Sequence, residues 1–390
     1  MRKWILPIAF VLAIAIELLR MWFLMPFPGS QERDMVAFSF FMHKQIWWMR
    51  MILFLVIAQE CFHLAVMRKK RSLLIAGVVL LIYAGVAYFM NYRIAPSRIF
   101  QTSEKPVYAT SADNAVHPGK LVIGVEINGE AVAYPIEIIG YHHQMRDVVG
   151  RKDIMVTYCT VCRSGRVFDP VVEGKQAHFR LVGMDRYNAM FEDDITGSWW
   201  MQATGEAVAG SQQGVALPEI PSQQLTLQKW LEQHPYTRIL QADPQFLKRY
   251  GQLTGFDEGN NGNEMESRDT VPWQNKSWVV VAEVDGVTRA YDWNTLELQH
   301  LIQDTLHGTA IAITLDQDGK SFFAFERRHA SRQYDFIHDE KLTNGLYETT
   351  TGTRWSFNGT CYEGPDSALH LEPIPVYQEF YHTYETFRKN

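Results

Sequence analysis

The chain has 390 residues, of which 47% are hydrophobic and 21% charged, and it carries a formal net charge of -6. This length accommodates two or three domains of ordinary size. The mild negative charge, with no basic stripe interleaved with aromatic residues, argues against a nucleic-acid partner.

Three apolar stretches near the N-terminus are each long enough to cross a bilayer as a helix, which takes about 20 residues. They run from Trp4 to Phe27, from Trp47 to Val66 and from Leu73 to Met90. A cleaved signal peptide is the alternative for the first stretch, but its apolar core is longer than usual and two more stretches follow it. We therefore predict a three-helix transmembrane region over residues 1–92, with the lipid bilayer as its partner.

Basic residues predict the orientation of these spans. Arg2 and Lys3 precede the first span, and the run RKKR at residues 68–71 connects the second to the third. Because such residues favour the cytoplasmic side, we place the N-terminus there. An odd number of spans then puts everything after Met90 in the periplasm or outside the cell, where thiols without a metal tend to oxidise.

Ionisable residues within the spans are costly and therefore informative. Arg20 and Arg50 fall near the predicted outer ends of their helices, so we expect them to extend to the interface as anchors. Glu60 and His63 are three residues apart and share a helical face. That face predicts either a polar site or proton relay in the bundle, or an ordinary hydrogen bond between helices.

The exported part contains an internal duplication. The run VIGVEINGEAVAY at residues 122–134 resembles VVVAEVDGVTRAY at residues 279–291, and the same offset aligns Asp147 with Asp304. Each copy begins with two strands around an Asn-Gly or Asp-Gly turn, which is a strong hairpin signal. Short helices are predicted from Pro135 to Arg146 and from Leu225 to Gln233, among several short alternating strands.

This pattern defines the predicted fold class. We expect an α-helical membrane bundle followed by an α+β, antiparallel-sheet-rich exported region made of two tandem related lobes. The first lobe covers residues 93–253, a Gly- and Asn-rich linker covers 254–275, and the second lobe, a degenerate repeat, covers 276–390.

Two of the four cysteines, Cys159 and Cys162, stand in the run IMVTYCTVCRSGRVF. The repeat aligns them with an Asp-Gln-Asp-Gly turn of the second lobe at residues 316–319. Because Asp and Gly favour turns, we predict that the cysteines occupy the tip of a hairpin. A redox motif of the thioredoxin type would instead begin a helix at this point.

Three chemistries fit two thiols at such a tip. The first is a metal knuckle for Zn or Cu, whose thiolates point to one side. The second is a redox dithiol with Cys159 as nucleophile, activated by Arg163 or a histidine, as in a membrane-tethered thiol–disulfide oxidoreductase. The third is a non-catalytic envelope binding or scaffold module in which a short-range disulfide ties down the turn.

A metal knuckle supplies two ligands and needs others. His143 aligns with His300 of the second lobe, which lacks the two cysteines, whereas His142 aligns with Gln299. A ligand specific to the first lobe should occur with its cysteines, so we favour His142. Two other histidines remain candidates: His117 and His178. Cys361 belongs to the second lobe and is predicted to be a buried small hydrophobic residue.

Several motifs in residues 121–240 together resemble domain-of-unknown-function family 3179, an uncharacterised family with a Tyr-Cys-Pro-x-Cys motif. They are VEINGEAVAYP, YHHQMRDVVG, VTYCTVC, RYNAMFEDDITGSWW and TGEAVAG. The resemblance implies that the family's characteristic positions fall on Tyr141, His142, Asp147, Tyr158, Cys159, Cys162, Tyr187, Asn188 and Trp200. Thr160 replaces the family's Pro and Arg163 its Gly, and both replacements weaken the expected rigidity of a metal knuckle.

We predict transition-metal binding, with Zn or Cu as cofactor, by Cys159, Cys162 and His142. The residues expected to line the pocket or support the ligands are Asp147, Tyr158, Tyr187, Asn188 and Trp200. Ordinary core packing is the alternative for Tyr187 and Trp200. The oxidoreductase and the scaffold stay open as alternative functions, with an unidentified protein or small molecule as partner.

Overall fold

The computed structural model describes residues 2–103, 105–338 and 345–389. The chain forms two compact units. The membrane-helix unit comprises Met1–Gln101, Ala177–Met201 and Glu206–Ala216. The cysteine unit comprises Thr102–Gln176, Gln202–Gly205 and Leu217–Asn390. The domain boundaries predicted from the sequence stay predictions.

The helices and strands are numbered in chain order. The helices are α1 Ile5–Leu24, α2 Val36–Val66, α3 Lys70–Tyr88, α4 Pro96–Ile99, α5 Ile136–His142, α6 Leu227–Gln233, α7 Leu247–Tyr250, α8 Trp293–Gln299 and α9 Tyr381–Phe387. A π-helical turn, Phe89–Arg93, continues α3, and short 3-10 helices cover Arg2–Trp4, Pro244–Phe246 and Gly251–Leu253.

The strands of the first half are β1 Tyr108–Ala109, β2 Leu121–Ile127, β3 Glu130–Pro135, β4 Gln144–Val149, β5 Lys152–Cys159, β6 Ser164–Phe168, β7 Val171–Val172, β8 Lys175–Gln176, β9 Phe179–Asp185, β10 Asn188–Asp193, β11 Trp199–Met201, β12 Ala207–Ala209, β13 Gln223–Thr226 and β14 Arg238–Leu240. Those of the second half are β15 Trp278–Val284, β16 Val287–Asp292, β17 Leu301–Leu306, β18 Thr309–Leu315, β19 Phe322–Glu326, β20 Arg328–His329, β21 Arg332–Gln333, β22 Phe336–His338, β23 Leu346–Glu348, β24 Arg354–Trp355, β25 Cys361–Glu363 and β26 Val376–Phe380.

Three helices are long and apolar enough to cross a membrane: Arg2–Leu24, Val36–Val66 and Lys70–Arg93. This confirms the number of predicted spans. The helix that contains the second predicted stretch, Trp47 to Val66, begins earlier, at Val36. Its first turns bury Val36, Ser39, Met42 and Ile46 at helical spacing, which holds the earlier segment in the same helix.

A buried carboxylate connects the three long helices. Glu17 of α1 accepts hydrogen bonds from Arg50 of α2, at 2.7 and 2.8 Å, and from Tyr83 of α3, at 3.0 Å. Asn91, in the π-helical turn, donates to the same carboxylate at 3.0 Å. Arg50 therefore contacts the bundle interior, and the expectation that it extends away as an anchor is wrong. An unpaired charge there would be costly, which is why the side chains converge.

The four-stranded sheet of the membrane-helix unit has the order β12-β11-β10-β9. It packs on α1 and α2 within that unit. A Cβ at Gly183 of β9 would lie only 2.5 Å from the Leu24 carbonyl oxygen, so glycine permits a close approach to α1. Phe40 of α2 meets the edge of Trp199 of β11 at 5.2 Å between ring centroids.

The cysteine unit is rich in antiparallel sheets, as predicted. Its largest sheet has the order β1-β14-β3-β2-β13, in which β14 pairs with β3 in parallel and the other neighbours are antiparallel. Separate sheets have the orders β4-β5-β6, β16-β15-β26, β17-β18-β19 and β22-β23-β24-β25. Together with the apolar helices, this is the predicted fold class of membrane helices followed by an α+β region.

The two predicted lobes carry the same sequence of elements. The order β2-β3-α5-β4-β5-β6 recurs as β15-β16-α8-β17-β18-β19, and each copy ends in a strand and a helix, β13-α6 and β26-α9. Both halves contribute to one hydrophobic core, in which Val122 and Trp230 pack with Phe325 and Trp355. Cys361 is buried in this core, as predicted. The second half also has a cluster of its own, which includes Trp278, Trp293 and Phe380. The tandem origin of the lobes stays a prediction.

The helix predicted from Pro135 to Arg146 ends too late. α5 stops at His142, and His143 adopts a left-handed conformation with φ 62°. The chain then enters β4 at Gln144, which pairs with Thr157 of β5. Pairing with the next strand, β5, therefore overrides the helical pattern of the last residues.

Candidate functional site

The two cysteines lie at the tip of the hairpin formed by β5 and β6, where the repeat predicts a turn. Cys159 is the last residue of β5, and Ser164 is the first of β6. Within the turn, the Cys162 amide donates to the Cys159 carbonyl oxygen at 3.2 Å. Both cysteines have an exposed fraction of 0%.

Arg163, the last residue before β6, holds this turn through its side chain. It adopts φ 53°, in the left-handed region, where the family pattern has Gly and an ordinary residue loses about 1–2 kcal/mol. Its guanidinium donates to the Phe256 carbonyl oxygen at 2.9 Å, to that of Asp257 at 3.3 Å and to Gln378 Oε1 at 2.9 Å. It also lies 3.6 Å from a ring centroid of Trp278. These contacts offset the backbone cost and keep the turn rigid without glycine.

Thr160, which replaces the family's Pro, is fixed by its side chain. Its hydroxyl donates to Glu266 Oε1 at 2.5 Å, and both residues are buried. Helix α5 also packs closely on Thr160. A Cβ at Gly140 of this helix would lie only 2.9 Å from Thr160 Cγ2. Thr160 and Arg163, where the family pattern has Pro and Gly, were expected to make the turn less rigid. Their side-chain contacts compensate for this loss at both positions.

Lys276 brings a positive charge to the cysteine turn. Its ammonium donates to the Val161 carbonyl oxygen, inside the turn, at 2.7 Å. Burial lowers the pKa of Lys276 to about 8, and electrostatic interaction with Cys162 and Cys159 opposes this decrease. In general a nearby cation favours a thiolate, whereas burial disfavours it.

The strand register places a polar group beside Cys159. Ser164 of β6 pairs directly with Cys159, and Arg166 pairs with Thr157, so all four side chains share one face of the sheet. Arg166 donates to Glu379 Oε1 at 2.6 Å, and both residues are fully buried.

The Glu379 carboxyl lies fully buried beside Arg166. Burial raises its pKa, and the Arg166 guanidinium opposes that rise. The Ser164 hydroxyl lies close enough to lower the same pKa. Among the described residues, neither Ser164 Oγ nor Glu379 Oε2 has a hydrogen-bond partner. Ser164 thus stands between a thiol and a buried carboxyl.

The two neighbouring histidines have separate environments. His142 Nε2 is hydrogen-bonded to the Tyr250 hydroxyl at 2.7 Å, and its ring packs against Phe246. His143 Nδ1 is hydrogen-bonded to the Gly140 carbonyl oxygen at 2.8 Å. Burial lowers the pKa of His143 to about 4, so the ring is neutral near pH 7.

No group of three or more His, Cys, Asp and Glu side chains that could hold a metal ion occurs in residues 2–103, 105–338 and 345–389. The ligand set Cys159, Cys162 and His142 therefore stays a prediction.

The structure distributes the other predicted pocket residues between the two units. In the cysteine unit, Asp147 accepts a hydrogen bond from Tyr134 at 2.7 Å, and buried Tyr158 meets the edge of Phe256. Three predicted residues belong to the membrane-helix unit: Tyr187, Asn188 and Trp200. There the Trp200 indole donates to Asp193 at 2.9 Å.

Sequence reasoning missed Lys276 and Glu379. Both lie far from the cysteines along the chain, and no motif identifies them. Lys276 was visible only as part of the sequon Asn275-Lys276-Ser277.

Residues 101–390 match the model of the DUF3179 family, which is described as a protein of unknown function. The chain belongs to this family. The match confirms the resemblance carried by residues 121–240 and extends over the second predicted lobe. The hairpin tip with its cysteines, Lys276 and Glu379 therefore all lie inside the DUF3179 region. The comparisons with curated proteins and with solved structures gave no match.

Replacing Arg163 with Gly tests the anchor of the turn. Arg163→Gly removes the backbone strain but leaves buried carbonyl oxygens without their donor, so we expect the free energy of unfolding to fall by about 2–4 kcal/mol. Denaturant unfolding of the full chain in detergent measures this change. The control is Arg151→Gly, at an exposed position with φ 68°, which should leave stability unchanged or slightly higher. Equal stability of the two variants would contradict the anchoring role.

The buried His143 predicts acid sensitivity. Its pKa is about 4 in the folded chain against 6.5 ordinarily, so the unfolded chain takes up the proton first as the pH falls. Stability from this group is complete above pH 6.5 and is lost toward pH 4, by up to about 3 kcal/mol. His143→Asn accepts the left-handed backbone but cannot titrate, so its stability should fall less over this pH range.

The matched control is His300→Asn, a half-buried left-handed histidine at the equivalent place in the second half. Unfolding curves at pH 7, 6, 5 and 4 compare the slopes. A slope of His143→Asn that equals that of the unsubstituted chain would refute this explanation.

Proposed function

We propose that the DUF3179 region carries a redox-active dithiol formed by Cys159 and Cys162, in a membrane-tethered thiol–disulfide oxidoreductase. The observation that supports it most is the partly buried Lys276 ammonium, which donates to the Val161 carbonyl oxygen between the two cysteines at 2.7 Å. A dithiol used only for packing gains nothing from a cation held there, because its partial desolvation is costly. A thiolate, by contrast, is stabilised by that cation.

The turn geometry is compatible with a disulfide between the two cysteines. The ends of a β-turn lie within about 7 Å between Cα atoms, and a disulfide requires about 4.4–6.8 Å. Arg163, Thr160 and Lys276 hold the backbone and side chains of the turn. In this proposal the backbone keeps its conformation while the sulfurs change oxidation state.

The proposed reaction begins with the Cys159 thiolate, which attacks one sulfur of a disulfide partner and releases one partner thiolate. A mixed disulfide forms on Cys159. The Cys162 thiolate then attacks the Cys159 sulfur and releases the second partner thiolate, which closes the internal disulfide. Two electrons pass to the partner, and the protons of the two thiols end on the two partner thiols. Because both cysteines are buried, a small disulfide is the partner class that we propose.

In this proposal Glu379 accepts the Cys159 proton through the Ser164 hydroxyl. Ser164 pairs across the strands with Cys159 and lies beside the carboxyl. Burial keeps the Glu379 pKa high, so the carboxylate is a better base than an exposed one. Arg166 orients the carboxylate and limits the cost of its charge.

The same proposal includes a compartment for this chemistry. The basic flanks of the spans favour a cytoplasmic N-terminus and an exported DUF3179 region. Disulfides persist in that compartment, so a partner disulfide is available there.

Redox titration of the detergent-purified chain tests the dithiol. The chain is equilibrated in buffers with graded ratios of reduced to oxidised glutathione, and the thiols that remain are alkylated and counted by mass spectrometry. We expect Cys159 and Cys162 to form one internal disulfide in a two-electron transition. Lys276→Gln removes the cation that stabilises the reduced thiolates, so the potential should become more negative by about 30 mV. The control is Lys152→Gln, which changes an exposed lysine of β5, the strand that ends at Cys159. This substitution should leave the reduction potential unchanged.

Two other results of these experiments would favour a different function for the two cysteines. Two-coordinate Cu(I) binding is the second candidate, because the clamped turn holds two buried thiols beside a cation that offsets the charge of a bis-thiolate complex. Equimolar Cu(I) that is lost in Cys159→Ser, without disulfide formation at any glutathione ratio, would favour it. If neither copper nor a disulfide is found and Cys159→Ser only lowers stability, the module is a scaffold.

The Ser164 hydroxyl gives a kinetic prediction. Ser164→Ala removes the proton path but leaves the Arg166–Glu379 pair intact, so the rate of disulfide formation should fall about tenfold or more. Ser164→Thr keeps a hydroxyl and should restore most of that rate. The equilibrium potential should change little in both variants, which separates proton transfer from thiol stabilisation. Equal rates for Ser164→Ala and the unsubstituted chain would exclude the path.

A further inference from the structure

The membrane-helix unit contains a buried arginine whose charge is not matched. Arg20 of α1 is only 9% exposed. Its Nη2 donates to the neutral amide oxygen of Asn91 at 2.5 Å. Its Nε is buried and has no hydrogen-bond partner among the described residues. The nearest carboxylate along the helix, Glu17, is already occupied by Arg50, Tyr83 and Asn91.

His43 of α2 presents a second unused donor. Arg180 Nη2 lies 3.3 Å from His43 Nε2, and an arginine can only donate, so Nε2 accepts in the neutral ring. The proton of neutral His43 is therefore on Nδ1. This nitrogen is buried without a hydrogen-bond partner in the described part of the chain. His43 and Arg20 are close enough to interact electrostatically.

The charges of this region do not balance. Glu192 is contacted by Lys44 at 3.2 Å and by Arg180 at 2.6 Å. Arg180 and Arg50 also interact electrostatically with Arg20. Positive charges outnumber negative charges in this group. It contains two carboxylates, Glu17 and Glu192, and four cations: Arg20, Lys44, Arg50 and Arg180. We call these six residues and His43 the Arg20 cluster.

The positions of Arg20 and His43 within their helices are compatible with the depth of lipid headgroups. Arg20 is about one turn from the end of α1 at Leu24. With 31 residues, α2 is roughly 46 Å long, whereas the hydrocarbon core is about 30 Å thick. If the apolar stretch from Trp47 to Val66 fills the core, the first turns of α2, which carry His43 and Lys44, lie outside it. Trp47 and Trp48, which are 74% and 62% exposed, follow as an aromatic belt would.

We propose that the Arg20 cluster binds the phosphate group of a membrane phospholipid, with Arg20 Nε and His43 Nδ1 as donors. Guanidinium groups match phosphate oxygens in geometry and charge. A phosphodiester brings one negative charge, which reduces the excess of cations. The headgroup level of the membrane supplies this ligand at high local concentration. This site is independent of the dithiol and of its function.

Phosphorus analysis of the full chain, purified in a phosphorus-free maltoside detergent, tests the site. We expect about one phospholipid per chain to remain after repeated washing, identified by native mass spectrometry. Arg20→Gln removes a cation and its donor, and His43→Phe keeps the ring that packs on Trp199 but removes the donor. Retention should fall at least tenfold in both variants. Arg98→Gln, an exposed arginine outside the Arg20 cluster, makes the same charge change and should retain the lipid.

A second arm distinguishes a lipid headgroup from free phosphate. Inorganic phosphate added to the delipidated chain at millimolar concentration should raise the Tm of the unsubstituted chain but not that of His43→Phe. If this shift occurs without retained lipid, the ligand of the Arg20 cluster is a soluble phosphate. Size-exclusion chromatography shows whether each variant is folded. The proposal is overturned if the unsubstituted chain binds neither probe, or if folded Arg20→Gln and His43→Phe bind as well as it does.

Discussion

The guanidinium of Arg163 is the constraint on which the cysteine turn depends. A left-handed conformation is unfavourable for arginine, and the chain adopts it because the side chain then reaches three buried oxygens. Phe256 and Asp257 come from the segment between the predicted lobes, and Gln378 comes from β26 near the C-terminus. One side chain therefore connects the turn to two distant parts of the chain. Arg163 also stands next to Cys162, so its position determines where both sulfurs lie.

Local patterns predict much of this molecule. The Asn-Gly and Asp-Gly turns identify β2-β3 and β15-β16, and three apolar stretches identify the long helices. The position of the cysteines at a hairpin tip follows from comparing the two halves of the sequence. Each of these features is encoded in adjacent residues, through turn chemistry or hydrophobic spacing. The helix end at His142 was predicted wrongly because its determinant, pairing of Gln144 with Thr157, lies outside the local pattern.

The surroundings of the cysteines could not be predicted in the same way. Lys276 and Glu379 contact the hairpin only because β15 and β26 pair beside it in the fold. The same holds for Glu17, whose three partners come from two other helices and the turn that follows them. A single sequence shows that these residues are charged and where they stand, but pairing at such separations requires the tertiary structure. Arg20 and Arg50 illustrate the error, since helix position alone suggested exposed anchors.

The contacts of Cys162 with the end of the chain have a consequence for biosynthesis. Its carbonyl oxygen accepts hydrogen bonds from the Phe380 amide at 2.9 Å and from the Thr383 hydroxyl at 3.4 Å, the latter across 221 residues. During translation both sulfurs emerge from the ribosome long before these donors exist. The nascent chain therefore carries two uncovered thiols until its last strand is made. Any oxidant or soft cation met in that interval has easier access to them than it does in the mature fold.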